Sequence, residues 1–299
     1  MSRNFFYFLF FIFYNNICIS QKILILDINS KTPISFANFS LYQDDVFVKG
    51  SYCSDNGELF IPDGLLFNRI NISCIGYENL NIYKKNILND TLLLTPVVYP
   101  LKEVVVNFNK KNEFINLGYI KSKRKSFLGA SKGRKICTFI DNPFGKIKLV
   151  HSFLFKIRNH NKNTKVGFKL HLFEKDTLTN TPGKELLQQD IIIILEDNDK
   201  KIKEQDVSNY NIEFPANGAF VGIEWLGILN EYDSSFKGID TQNGSIELND
   251  DSKEFSTFER DRFSFYPWEN LEKFKKISEE HTNFRNCPTA SFGLKLYKD

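Results

Sequence analysis

From Lys22 onward the chain is built of short runs in which apolar residues recur at every second position or cluster between turn residues. Lys22–Ile28, Ala37–Tyr42, Val46–Ser51, Glu58–Ile61, Arg69–Ile75, Leu80–Tyr83, Thr91–Leu94 and Glu103–Val106 read as strands. Asp55-Asn56-Gly57 forms a turn with a mechanism, because Asn and Gly tolerate positive φ. Seven or eight strands packed so closely predict a small β-sandwich over residues 21–107.

A second set follows. Lys135–Ile140, Lys146–Ile157, Lys165–Glu174, Ile191–Leu195, Ala219–Ile228 and Ser291–Tyr297 read as strands of a second domain, residues 134–299. One helix is expected near Glu269–His281, where Trp268, Leu271, Phe274 and Ile277 fall on roughly one face. No internal repeat is visible. Between the two sets, residues 108–133 are polar and basic, with Lys121-Ser122-Lys123-Arg124-Lys125 among them. They are expected to be a solvated linker rather than a contact for an anionic surface.

The N-terminus has another pattern. Arg3 precedes the uninterrupted apolar run Phe5–Phe13, which is too short to span a ~30 Å hydrocarbon core as a helix. Cys18-Ile19-Ser20 then places small residues before Gln21. Residues 1–20 are therefore expected to be a secretory signal peptide, with the mature chain starting at Gln21. The alternatives are a membrane anchor or a buried first strand, and Asn15-Asn16 ends the run early for either. Ile17 stands where a lipoprotein signal needs a small residue, against a lipid on Cys18.

Composition narrows the function classes. Apolar residues make up 42% and aromatics 15% of the 299 residues, enough for two ordinary cores. The net charge of +3 falls to +2 without Arg3, far from the concentrated basic face of a nucleic-acid binder. Cys53, Cys74, Cys137 and Cys287 remain after cleavage. Export permits disulfides, and the pairing 53–74 with 137–287 keeps both bonds within the proposed domains. The alternation of Ile70, Ile72 and Cys74 places Cys74 in the core. Cys53 is out of phase with Val46, Val48 and Tyr52, which are expected to face that core. Free buried thiols are the favoured reading. No pair has the C-x-x-C spacing of a zinc or redox centre.

Several constellations touch on chemistry. His171-Leu172-Phe173-Glu174 has the H-x-x-E spacing of a zinc peptidase, with His281 as a third ligand. Val166, Phe168, Leu170 and Leu172 alternate as a strand, however, so His171 and Glu174 should point to opposite sides, with His171 outward. Gly129-Ala130-Ser131-Lys132-Gly133 fits G-x-S-x-G, but a basic stretch precedes it and a strand follows, so a flexible turn is expected. Ser122-Lys123-Arg124-Lys125 fits S-x-x-K without partner motifs. Asp197-Asn198-Asp199 and Asn249-Asp250-Asp251 offer oxygen ligands for calcium but complete no EF-hand, and solvated hairpin tips are expected. His151 and His160 have no apparent partner. Trp225 reads as core. Trp268, with Phe265 and Tyr266, is the exposed aromatic candidate for ligand binding.

Residues 22–107 also carry a family pattern. Ile25-Leu26-Asp27, Thr32-Pro33-Ile34, Ala37-Asn38-Phe39-Ser40-Leu41, Gly50, Ser54–Ile61 and Ile70–Glu78 resemble the carboxypeptidase regulatory-like domain. That resemblance implies an immunoglobulin/transthyretin-like sandwich with no reaction of its own. Pro96–Val106 is similar to the stretch that follows such a domain in TonB-dependent receptors, but the chain left after it is too short for a plug and barrel. Thr181–Leu187, Tyr210–Pro215 and Gly218–Trp225 resemble segments of exported two-domain proteins and imply a jelly-roll-like second domain.

Together these readings give an all-β, exported, non-enzymatic protein of a Gram-negative envelope, in the periplasm, on the outer-membrane surface or outside the cell. It binds or scaffolds an envelope protein or glycan. No catalytic residue, metal, cofactor, nucleic acid or transmembrane segment after signal cleavage is expected. The alternatives are a hydrolase acting through the second domain, or a periplasmic accessory of a TonB-dependent transport system.

Overall fold

In the computed structural model, the described residues are 21–97, 113–121, 125–129, 131–160, 163–196, 202–229, 236–237, 244–252, 256–260, 267–271 and 287–298. The architecture is all-β, with two short 3-10 turns at Lys84–Asn86 and Ser208–Tyr210. Residues 1–20, expected to be a signal peptide, and the expected strand Glu103–Val106 lie outside the described residues.

The N-terminal unit holds β1 (Gln21–Asp27), β2 (Asn38–Gln43), β3 (Val46–Tyr52), β4 (Glu58–Ile61), β5 (Arg69–Ser73), β6 (Leu80–Tyr83) and β7 (Thr91–Leu94). They form a three-stranded sheet, β4-β1-β7, and a four-stranded sheet, β3-β2-β5-β6. β1 and β7 run parallel, and the other pairs are antiparallel. The inward side chains of the two sheets share one core. Ile23, Ile25, Leu59, Ile61, Leu92 and Leu94 meet Phe39, Leu41, Ile70 and Ile72. This is the sandwich that the alternation predicts. Asp44 and Asp45, at φ 48° and 66°, close β2 onto β3 in the left-handed geometry that suits a two-residue hairpin.

The second unit holds β8 (Phe114–Gly118), β9 (Lys125–Gly129), β10 (Lys135–Ile140), β11 (Lys148–Phe155), β12 (Ile157–Asn159), β13 (Val166–Lys175), β14 (Pro182–Glu185), β15 (Ile192–Leu195) and β16 (Lys203–Asp206). After these come β17 (Glu213–Phe214), β18 (Ala219–Leu229), β19 (Phe236–Lys237), β20 (Gly244–Ser252), β21 (Thr257–Arg260), β22 (Glu269–Asn270), β23 (Cys287–Ala290) and β24 (Phe292–Tyr297). The largest sheet runs β14-β13-β18-β10-β21-β22, with β15 also on β13 and β19 on β18. A second sheet, β16-β11-β24-β8, and a third, β12-β20-β23 with β9 on β20, complete the unit. Phe168, Leu170, Ile223 and Trp225 of the large sheet pack with Phe153, Phe155, Phe292 and Leu294 of the second and Ile246 of the third.

Three expectations change. Residues 108–133 are not simply a polar connector. Phe114–Gly118 pairs with β24, and Lys125–Gly129 pairs with β20, so both strands belong to the second unit. Each is only five residues long, ends in glycine and borders a Lys-rich stretch, so neither shows an alternation of its own, and an edge strand needs few apolar positions. The helix expected from Glu269 begins instead as the two-residue strand β22 on β21, and residues 272–281 lie outside the described residues. Lastly, a register shift between Leu41 and Tyr42 breaks the phase of β3. Val46 is exposed, Tyr52 faces the second unit, and Cys53 turns into the core. Cys74 lies just past β5 and packs only partly against that core. Cys53, Cys74 and Cys137 are free thiols, so neither the 53–74 nor the 137–287 bond forms.

Candidate functional site

The outward face of the large sheet carries a row of charges where a sandwich would ordinarily present solvated polar groups. β13, β18 and β10 set Lys169, Glu224 and Lys135 side by side in register, and β21 adds Arg260 opposite Lys135. One step along, His171, Gly222, Cys137 and Phe258 form the next row. Lys169, His171 and Glu224 are nonetheless buried. The cover comes partly from the N-terminal unit. Tyr52 and Leu226 form a shared apolar contact with Phe36, Phe47, Ile192, Ile194 and Leu229 around them.

Polar contacts cross the same boundary. Tyr52 Oη donates to Glu224 Oε1 at 2.5 Å. Lys169 Nζ donates to the Phe36 carbonyl at 3.0 Å and to Asp190 Oδ2 at 2.7 Å. The Cys74 thiol reaches the same Asp190 oxygen at 3.5 Å. Lys132 Nζ donates to Ser51 Oγ at 3.0 Å. Gly76, at φ 88°, sits so close to the second unit that an added Cβ would lie 2.2 Å from the Gln188 carbonyl oxygen. The contact therefore requires glycine on both counts.

Within the large sheet, His171 is held from both sides. Nδ1 lies 2.6 Å from Glu185 Oε2 and Nε2 lies 3.1 Å from Glu224 Oε2. Each ring nitrogen must donate to a carboxylate, so the imidazolium is the form that satisfies the site. Burial works against that charge, but Glu185 and Glu224 outweigh it and raise the His171 pKa. Burial likewise pushes the Glu224 carboxyl up, yet Lys135, His171 and Lys169 together hold it well below the ordinary carboxylate range. Burial pulls the Lys169 ammonium down, and Asp190, Cys74 and Glu224 more than restore it. Tyr52 is pushed well up, by burial first and Glu224 second. Lys132, with less compensation, is lowered by burial and by Lys49 to about 8. The cluster is a closed network in which each charge holds another.

The sequence-based candidates fare unevenly. The H-x-x-E spacing does not converge: Glu174 is exposed, while His171 turns to Glu185 and Glu224. His171 does face away from the sandwich core, but it is buried rather than solvent-facing, because Tyr52 and Glu224 meet over that face. His281 lies outside the described residues. Among the described residues, no group of three or more His, Cys, Asp or Glu is placed to hold a metal ion. Lys132 and Gly133 form a turn before β10, closed by Arg134 N donating to the Ser131 carbonyl, so the G-x-S-x-G segment leads into a strand and not the helix of a nucleophile elbow. Asn249 lies inside β20, buried, with its amide donating to the carbonyls of Tyr119 and Lys121, and is no hairpin tip. Asp197-Asn198-Asp199 and the Ser122-Lys123-Arg124 stretch lie outside the described residues. His151 and His160 do have partners, in Ser152 Oγ at 2.5 Å and Ser245 Oγ at 2.8 Å.

Trp225 is buried in the core against Phe168, as expected. Trp268 is only half-exposed. Phe173 meets it edge-on at 5.3 Å and the Arg260 guanidinium covers its ring at 4.4 Å, so it offers no open platform on that face. Phe265 and Tyr266 lie outside the described residues. Glu185, Asp190 and Tyr52 were missed as site residues. The one signal for them was a buried-strand pattern interrupted by Lys169, His171 and Glu224, which obliges opposite charges to come from elsewhere in the chain.

No family model and no curated protein matches the chain. A solved structure titled "Structure of infectious bursal disease virus Gt strain" aligns with 94% of this chain at 11% identity and a TM-score of 0.21. The alignment covers 61% of that viral chain. A likeness so slight carries neither fold nor function. Among the described residues, no helix is long and apolar enough to cross a membrane.

Proposed function

We propose that this chain is an exported, non-enzymatic protein of the cell envelope that binds or scaffolds a protein or glycan partner through its N-terminal unit. The observation that carries this reading is an apolar patch on the outward face of the three-stranded sheet β4-β1-β7, bordered there by the Lys22–Glu58 ion pair. Ile23, Ile25, Leu59 and Leu92 point into the core. Phe60 and Leu93 point outward and are exposed, Leu24 and Leu26 lie half-buried between them, and Ile28 is exposed beyond the end of β1. An outward face of this composition is what a recognition surface needs. The resemblance of residues 22–107 to the carboxypeptidase regulatory-like domain, a non-catalytic module, supports the same reading. The buried charge network supports it too, since Tyr52, His171, Lys169 and Glu224 are engaged with one another.

The test is recovery of envelope components with a tagged mature chain, beside a Phe60→Asp/Leu93→Asp double variant. Both side chains face outward, so the variant should keep its melting midpoint and lose the partner that the wild-type chain retains. Equal recovery by the two chains would remove this surface from the reading. Hydrolysis of an envelope substrate that is abolished by His171→Ala would replace it with the hydrolase alternative.

A further inference from the structure

We propose that Lys169 and Asp190 are a self-cross-linking pair, joined after folding by an amide bond between Lys169 Nζ and Asp190 Cγ. The argument starts with placement. Lys169 sits on β13 opposite Ile192 of β15, and Asp190 lies two residues before Ile192. The backbone bond from Leu170 N to Ile191 O, at 2.9 Å, fixes the two segments between the reacting groups. Nζ and Oδ2 are thus brought to 2.7 Å by one strand pair and need no further search. Reactants held at such a distance gain the large effective concentrations of intramolecular reactions.

The surroundings favour dehydration. Lys169 is 3% exposed and the Asp190 side chain 12%. The Tyr52 ring centroid lies 5.8 Å from Nζ, and Phe36 covers the pair from the N-terminal unit. Two charges kept out of water are costly even when paired. The amide replaces both with one neutral group. The two carboxylate oxygens are unequal: Oδ2 accepts from Lys169 and Cys74, whereas Oδ1 is buried with no hydrogen-bond partner. Losing Oδ1 therefore sacrifices no contact, and relieves an unpaired buried acceptor.

The bond changes balance without any oxidant or co-reactant. One ammonium proton passes across the 2.7 Å contact to the carboxylate, leaving a neutral amine and a neutral acid. The Nζ lone pair adds to Cγ. A second proton then leaves Nζ by way of Glu224, the carboxylate paired opposite Lys169 in the sheet, and is handed on to Oδ1. The proton first taken up by Oδ2 passes to Oδ1, where the proton relayed from Nζ joins it, and the Cγ–Oδ1 bond breaks to release that oxygen as water. The remaining N–H continues to donate to the Phe36 carbonyl, and Oδ2 becomes the amide oxygen that the Cys74 thiol faces. The step follows folding, because the strand pairing is what brings the two groups together.

The experiment is the intact mass of the full denatured wild-type chain, compared with the mass calculated from the N-terminus actually present. A deficit of one water is expected, together with a branched peptide after digestion that joins the segments containing Lys169 and Asp190. Lys169→Arg and Asp190→Ala should each restore the full mass. The full mass in the wild-type chain would overturn the proposal and leave an ion pair only. A water deficit that persists in Asp190→Ala, or a branched peptide elsewhere, would overturn it as well. Because the wild-type measurement decides the matter, a variant that fails to fold does not protect the proposal.

Discussion

Tyr52 and Glu224, 172 residues apart, are joined by a 2.5 Å hydrogen bond at the boundary between the two units. The phenol is the last residue of β3, and the carboxylate lies in the middle of β18. Glu224 already answers His171 and Lys135, so Tyr52 ties the N-terminal unit into a network that the second unit builds for itself.

Removing the phenolic hydroxyl should be costly. Tyr52→Phe leaves Glu224 Oε1 without this donor in a buried setting, and a hydrogen bond to a charged group is worth about 1.5–3 kcal/mol. Chemical denaturation of the full chain should show that loss. In a double-mutant cycle with Glu224→Gln, the two changes should be far from additive. A midpoint unmoved by Tyr52→Phe would mean that the contact does not form in solution.

His171 sets a pH dependence of definite sign. Its folded-state pKa lies above the ordinary 6.5, so its contribution is fully present below 6.5 and is lost as pH rises through the folded value. The groups facing the ring are Glu185 and Glu224 on its two nitrogens, with Phe173 stacked beside it at 5.2 Å and Lys135 opposing its charge. Measured across that window, the stability difference between wild type and His171→Asn should shrink with rising pH. A difference that grows or stays level would mean that His171 is held neutral.

Gly57 carries the turn before β4. It adopts φ 71°, and a Cβ there would lie 2.7 Å from the Ile25 carbonyl oxygen. Gly57→Val should destabilise the N-terminal unit by ~1 kcal/mol or more, from backbone strain alone. Thermal unfolding followed through the N-terminal unit is the check, and an unchanged midpoint would contradict the turn geometry.

The sequence exposed the strands that obey a single rule and hid those that obey two. Glu58–Ile61, Leu80–Tyr83, Thr91–Leu94 and Lys135–Ile140 match their sequence-based bounds because one face is apolar and turn residues close both ends. Phe114–Gly118, Lys125–Gly129 and Lys203–Asp206 escaped notice because each is four or five residues long without a clean apolar alternation, and only pairing with distant strands makes them strands. The site failed for a related reason. His171 was visible as a break in an apolar strand, but its partners Glu185 and Glu224 are 14 and 53 residues away. The cover supplied by Tyr52 comes from the other unit. Local pattern cannot show that an outward-facing charge is later buried by a second layer, since that burial depends on how two independently patterned units meet.

The pairing of β8 with β24 bears on the order in which the chain acquires its shape. Gly118 meets Gly293 and Phe114 meets Tyr297, and Lys298 bonds Glu113 at 2.6 Å beside them. During synthesis, β8 emerges early and waits for nearly the whole second unit before its mate arrives. Among the described residues β1 to β7 pair only among themselves, so they can settle first while β8 is still bare. Such a delayed closure makes folding slow. It also makes the waiting edge of β8 the segment most in need of a chaperone's protection while it lasts.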